Sequence, residues 1–146
     1  MRAVPVSKRA VLRTRLVVPY SSNGRTSFPA RQRSGVYLIF RGPVLRYVGF
    51  SQTDVYKSLY RHFEQWNDAS RSAPRVTYGR GPLMRVRVVY TRNGSQAARL
   101  ERALILRHRP PDNVVQYDAF VLDDRDRELM QRAAVSPFAD TGPAPF

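Results

Sequence analysis

Two tyrosines and one glutamate stand where chemistry could be done. In "SGVYLIFRGPVLRYVGFS", residues 34–51, Gly35-Val36-Tyr37 enters a short hairpin and Tyr47-Val48-Gly49 leaves it. A phenol can donate a hydrogen bond or pass a proton, and a strand residue without a side chain leaves room for a bulky ligand. Gly35 and Gly49 would therefore let something as large as a phosphodiester backbone approach both phenols. A tyrosine in a strand equally serves as a core residue whose hydroxyl reaches the surface, so it is the pairing that carries the reading. Glu101 is the third group. At about 100° per residue, Ala97, Leu100, Leu104, Ile105 and His108 form one apolar arc of a helix, and Glu101 falls inside it. Burying a carboxylate is costly unless something pairs with it. Its partner is either one of the many arginines, in a salt bridge, or a hard cation held at the edge of a sheet. His108, near the end of the same helix, reads as structural.

The elements that must position these groups are legible in outline. "GVYLIF" and "VLRYVG" are rich in β-formers, with "RGP" between them as the turn, and should pair antiparallel. After Thr53 or Asp54 as N-cap, "VYKSLYRHFEQW" places Val55, Leu59, Phe63 and Trp66 on one helical stripe, which is core. Residues 67–83 form a long loop carrying Arg71, Arg75 and Arg80, and a loop of that length in a compact domain usually has a function. "MRVRVVY", residues 84–90, alternates as a strand. "TRNG" turns, Ser95 caps a second helix running to about His108, and Pro110 and Pro111 end it. The order is β-β-α-β-α. A basic arm, residues 1–33, precedes it with one strand-like alternation in "VLRTRLVV". The domain itself spans 34–118, and an acidic extension, 119–146, adds a strand and a short helix at most. No internal repeat is present.

Charge narrows the partner. Among 146 residues, 25 Lys and Arg oppose 11 Asp and Glu, for a net charge of +14. That is the electrostatic footprint of a protein that handles a polyphosphate. No acid precedes Asp54, whereas Asp118, Asp123, Asp124, Asp126, Glu128 and Asp140 crowd the end. The arm and middle should therefore face the polyanion. An arginine-rich soluble protein or a ribosome-associated structural protein would share this composition. The chain has no cysteine, which excludes disulfides, thiolate zinc sites and cysteine nucleophiles. It has no long apolar segment, and its basic start lacks the apolar core of a secretory signal, so a soluble, cytoplasmic protein is expected.

Taken in order, GVY, nine residues, YVG, a helix with Arg61-His62-Phe63, and then "AARLERALILRHRPPDNVV" resemble the GIY-YIG nuclease family over residues 34–116. Any single triplet is weak evidence, and the ordered set is specific. The resemblance implies an α+β fold, a small three-stranded antiparallel sheet flanked by helices. It also implies cleavage of DNA phosphodiesters with one divalent metal, Mg²⁺ or Mn²⁺. By position, Tyr37 matches the tyrosine that activates or aligns the attacking water, and Tyr47 the one that bonds near the scissile phosphate. Glu101 matches the metal ligand, and Asn113 the asparagine that supports the site. His62 matches a histidine found in some members, although beside Phe63 it could equally serve helix packing.

The chain departs from the family on the first helix. An arginine that stabilises phosphate charge there is replaced by Ser58, with Lys57 before it and Arg61 three residues later. The expectation is a metal-dependent DNA endonuclease with catalytic residues Tyr37, Tyr47, Arg61, His62, Glu101 and Asn113. Gly49, Lys57, Arg71, Arg75 and Arg80 would bind the nucleic acid, and no small-molecule substrate or membrane is expected. The rivals are a catalytically weakened or inactive nucleic-acid-binding module on the same fold, and an RNA-directed or ribosome-associated basic protein.

Overall fold

The computed structural model describes residues 12–20, 25, 27, 32–63, 78, 81–118 and 121–132. Its elements run β1 (Leu12–Arg13), β2 (Gly35–Arg41), β3 (Val44–Ser51), α1 (Val55–Tyr60), β4 (Met84–Tyr90), α2 (Gly94–His108) and α3 (Asp124–Arg132). The fold is α+β. Three long antiparallel strands in the order β4-β2-β3 form the sheet, and the two-residue β1 adds a fourth at the outer edge of β4. Leu12 and Arg13 of the arm are thus part of the sheet, and Val17 adds an isolated bridge to Val86. Thr14 and Val17 donate backbone N–H groups to Val88 and Val86, and the Thr14 hydroxyl accepts from the Val88 N–H. This pairing covers backbone groups of β4 that would otherwise be an open edge.

Alternation along β2 sends residues to two faces, and both are covered. Val36, Leu38 and Phe40 pack with Leu45, Val48 and Val89 against Ala97, Leu100, Ala103, Leu104 and Ile105 of α2 and Leu129 and Met130 of α3. Tyr37 and Ile39 pack with Met84, Val86, Val88 and Tyr90 against Val55, Leu59, Phe63 and Tyr78. Burial on both faces explains why "GVYLIF" is continuously apolar instead of alternating with polar residues. Full burial of each aliphatic side chain contributes about 1.5–3 kcal/mol.

Two local details differ from the sequence reading. The N-cap of α2 is Asn93, not Ser95. The Asn93 side chain accepts from the Gln96 N–H at 2.9 Å, and the Gln96 side chain reaches back to accept from the Arg92 N–H at 2.7 Å. This reciprocal arrangement satisfies two orphan donors, which a cap at Ser95 would leave unmet. The first helix was expected to continue to Trp66. The α-helix ends at Tyr60, the Arg61 N–H making its last four-residue bond to Lys57, and His62 and Phe63 bond back three residues, to Leu59 and Tyr60. Asp54 is its N-cap, accepting from the Lys57 N–H. Trp66 lies outside the described residues. In the acidic extension α3 forms as a short helix, and no strand appears among its described residues.

Candidate active site

Register decides how the hairpin presents its tyrosines. Tyr37 stands opposite Gly49, and Tyr47 stands opposite Ile39, so the two phenols are diagonal neighbours on the α1 face. Their rings stack with centroids 6.2 Å apart and planes 24° from parallel. A Cβ placed on Gly49 would collide with the Tyr37 ring and hydroxyl. The space expected for a phosphodiester beside Gly49 is therefore filled by Tyr37. Gly35 is likewise closed in, since its added Cβ would lie 2.9 Å from the Val89 carbonyl oxygen and 3.6 Å from Val55. Both glycines permit close packing within the sheet region, so the strand ends are not open to a ligand there.

His62 completes the cluster. Its ring lies 5.4 Å from that of Tyr37 and 4.6 Å from that of Tyr47, and its Nε2 is 2.9 Å from the Tyr37 hydroxyl oxygen. The tight turn after α1 puts it there, directed inward behind Leu59 and Phe63. Tyr37 and His62 are 3% and 1% exposed, while Tyr47 is half-buried at the rim. Arg61 is half-buried in the same turn, Ser58 is half-buried on α1, and Lys57 is exposed. Arg71, Arg75 and Arg80 lie outside the described residues.

Sequence reasoning missed an extension of this cluster. The Tyr78 N–H donates to the His62 carbonyl at 2.6 Å, and the Tyr78 hydroxyl donates to Asp112 Oδ2 at 2.8 Å. Asp112 in turn receives both Nε and Nη2 of Arg46, at 3.0 and 2.7 Å. Burial alone would raise the Asp112 pKa, but the bonds from Arg46 and Tyr78 outweigh it and hold the carboxyl below the usual range. Burial and the neighbouring carboxylate push the Tyr78 phenol well upward, so it stays a donor. Arg46 is free to make this bidentate pair because the ladder slips between Ile39 and Phe40. Phe40 pairs with Leu45, and Arg46 becomes the extra residue of a bulge. The proline-rich run before Asn113 gave no signal that an acid there would meet a tyrosine 34 residues earlier.

Asn113 works at the outer edge of β3. Its Oδ1 accepts from the Val48 N–H at 3.0 Å, and its Nδ2 donates to the Val48 carbonyl at 2.8 Å. One side-chain amide thereby does what a neighbouring strand would do, midway between Tyr47 and Gly49.

Glu101 sits on α2, against the opposite face from the phenols. It is 8% exposed, and its Oε1 accepts a hydrogen bond from the Tyr117 hydroxyl at 3.2 Å. Burial pushes its pKa up to about 7, opposed by the Tyr117 bond and the nearby charge of Arg102. Among the described residues no lysine or arginine forms an ion pair with it. Burial and the Glu101 carboxylate it bonds push the Tyr117 phenol upward, so it stays a donor to Glu101.

No protein-family model matches this chain, and no curated protein or solved structure matches it either.

A divalent cation fits one part of this arrangement. A buried carboxylate with a raised pKa and a single phenol as partner is the group that gains most from a nearby positive charge. No set of three or more His, Cys, Asp or Glu is grouped to hold a metal among the described residues. Glu101 would be the one protein ligand, with waters and phosphate oxygens supplying the rest, a donor set that Mg²⁺ and Mn²⁺ accept. Also among the described residues, no helix is long and apolar enough to cross a membrane.

Proposed function

We propose that the chain is a metal-dependent DNA endonuclease of the GIY-YIG type. The observation that carries this reading is the 2.9 Å contact between the Tyr37 hydroxyl and His62 Nε2, beside the Tyr47 ring and behind a half-buried rim. With the His62 tautomer that leaves Nε2 unprotonated, Nε2 accepts the Tyr37 proton as the phenolic oxygen takes one from the attacking water; the water oxygen bonds to phosphorus, the bond from phosphorus to the leaving sugar oxygen breaks, and that oxygen takes a proton from bulk water. Tyr47, at the rim, donates to a non-bridging phosphate oxygen. Arg61, in the turn beside His62, supplies the fixed cation that Ser58 does not, while Lys57, Arg71, Arg75 and Arg80 neutralise flanking phosphates. Asn113 keeps the β3 edge, and with it Tyr47, in register. Held by Glu101, Mg²⁺ or Mn²⁺ would act as a Lewis acid on the phosphate.

The near-complete burial of Tyr37 and His62 favours a second reading, in which the fold binds nucleic acid without cutting it. The Ser58 departure points the same way. One experiment separates the two. The full chain is incubated with supercoiled plasmid and Mg²⁺ or Mn²⁺, with and without EDTA, and its affinity for a short duplex is measured against salt. Nicking that stops with EDTA supports the nuclease. Binding with a log-log salt slope of about −0.9 per neutralised phosphate, but no cutting under either metal, supports the binding module. Neither binding nor cutting refutes both.

A further inference from the structure

The segment after α2 is held far more tightly than its position between a helix and an acidic tail would require. Arg109 leaves the helix in the left-handed region, φ 46°, and its guanidinium bonds the Gln116 carbonyl at 2.8 Å and pairs with Asp118. Gln116 Nε2 donates to the carbonyls of Pro110 and Asn113, at 3.0 and 2.7 Å. Asp112 is clasped by Arg46 and Tyr78, and Asn113 brackets Val48. Tyr117 then sits at φ 51°, in the left-handed region that residues with a bulky side chain rarely occupy. A backbone held in such a conformation persists because surrounding contacts over-determine it, and such strain gathers at functional sites. The strained residue is also the one whose hydroxyl reaches the buried Glu101.

We propose that Tyr117 is a positioning residue for Glu101: its hydroxyl engages Oε1 and fixes the carboxylate rotamer, so that the other oxygen meets a divalent cation already oriented. The proposal rests on Glu101 being the metal ligand. Its logic is that of an outer-shell partner, which orients a ligand without touching the metal. The strain at Tyr117 is what aims the phenol back toward α2, and the clasps at Asp112, Asn113 and Gln116 keep the segment from relaxing.

The test is Tyr117→Phe in the full chain, which keeps the ring and removes the hydroxyl. Mn²⁺ binding is followed by loss of the free-ion electron paramagnetic resonance signal, together with the Mn²⁺ dependence of plasmid cutting and the melting temperature. The expected result is a Mn²⁺ Kd raised ~10–100-fold, a similar rise in the Mn²⁺ needed for half-maximal cutting, and recovery of kcat at saturating Mn²⁺, with Tm lowered by no more than a few degrees through the lost hydrogen bond. Tyr78→Phe removes one bond to Asp112 but leaves the bidentate Arg46 pair that holds it, and should leave the Mn²⁺ Kd at the parent value. Three results would overturn the proposal. Unaltered Mn²⁺ binding and cutting in Tyr117→Phe would remove the positioning role and leave Glu101 as ligand. An equal loss of affinity in both variants would show general loosening of the segment. A parent chain that binds no Mn²⁺ would remove the metal reading of Glu101 together with the role of Tyr117.

Discussion

On the α1 face of the sheet, polar groups are buried in pairs: the Tyr37 phenol with His62, and Tyr78 with the Asp112–Arg46 clasp. On the α2 face, Glu101 is buried among Leu100, Leu104 and Ile105 with one phenol as its hydrogen-bond partner. The first arrangement balances itself, because a hydroxyl and an imidazole satisfy each other without net charge. The second does not, because a carboxylate shielded from water carries a desolvation cost that protonation or a nearby cation must relieve. On the proposed reading, the α1 face handles the proton and the α2 edge receives a charge supplied from outside.

The largest effect should come from Glu101→Gln, which tests whether the α2 side is a ligand site or a structural pair. The substitution keeps the shape and removes the charge, so cutting should fall by at least ~10²–10³. Stability should hold or improve at pH 8, since a desolvated carboxylate is replaced by a neutral amide. A clear fall in Tm in circular dichroism melts would make Glu101 an ion-pair partner and erase the contrast between the faces.

Tyr37→Phe probes the α1 side. Cutting should drop by ~10²–10⁴ with DNA affinity retained, as expected when a proton-transfer group is lost. Loss of the hydrogen bond to His62 should cost about 0.5–1.5 kcal/mol of stability in urea unfolding. Parent-like cleavage rates would return Tyr37 to a packing role.

Gly49→Ala sharpens the same side without touching any donor. A Cβ there meets the Tyr37 ring, so the variant should lose about 1–3 kcal/mol through overpacking, read as a lower urea midpoint. Unchanged stability with weakened DNA binding would instead restore Gly49 as a point of phosphate approach.

The smallest effect concerns pH. The folded-state pKa of Asp112 lies below its ordinary value of 3.8, so its contribution is complete above that value and fades as pH falls through the lower folded value. Acid unfolding of Arg46→Met should lose this part of the transition, with Tm at neutral pH lower by a few degrees. An acid limb identical to that of the parent would show that the clasp adds nothing beyond the hydrogen bond to Tyr78.

Much of the site could be read from local pattern. The apolar stripe of the second helix placed Glu101 inward, and it is buried there. The β-rich halves around "RGP" gave the hairpin, with Gly42 at φ 56° in its turn. The basic arm reads as a flank, yet Leu12 and Arg13 pair with β4 and Val17 bridges to Val86, because "VLRTRLVV" cannot reveal that its partner lies some 70 residues on. Asp112, Tyr78 and Tyr117 were invisible as site residues for the same reason. Each acts through a partner 16 to 66 residues away, where no short-range period can reach.

By itself, the sequence determined which residues share a face. Side chains alternate along a strand and return about every 3.6 residues on a helix, so Tyr37 and Ile39 must part from Val36 and Leu38, and Glu101 must join Leu100 and Leu104. Only the tertiary structure decided register and closure. It set Tyr37 against Gly49 instead of Tyr47, made Arg46 the bulged residue, and folded the segment after α2 back until Asn113 sealed the β3 edge and Tyr117 met Glu101. Those choices depend on how two strands and a returning segment fit against one another. The free energy of that fit belongs to the contacts between segments and is written in none of them alone.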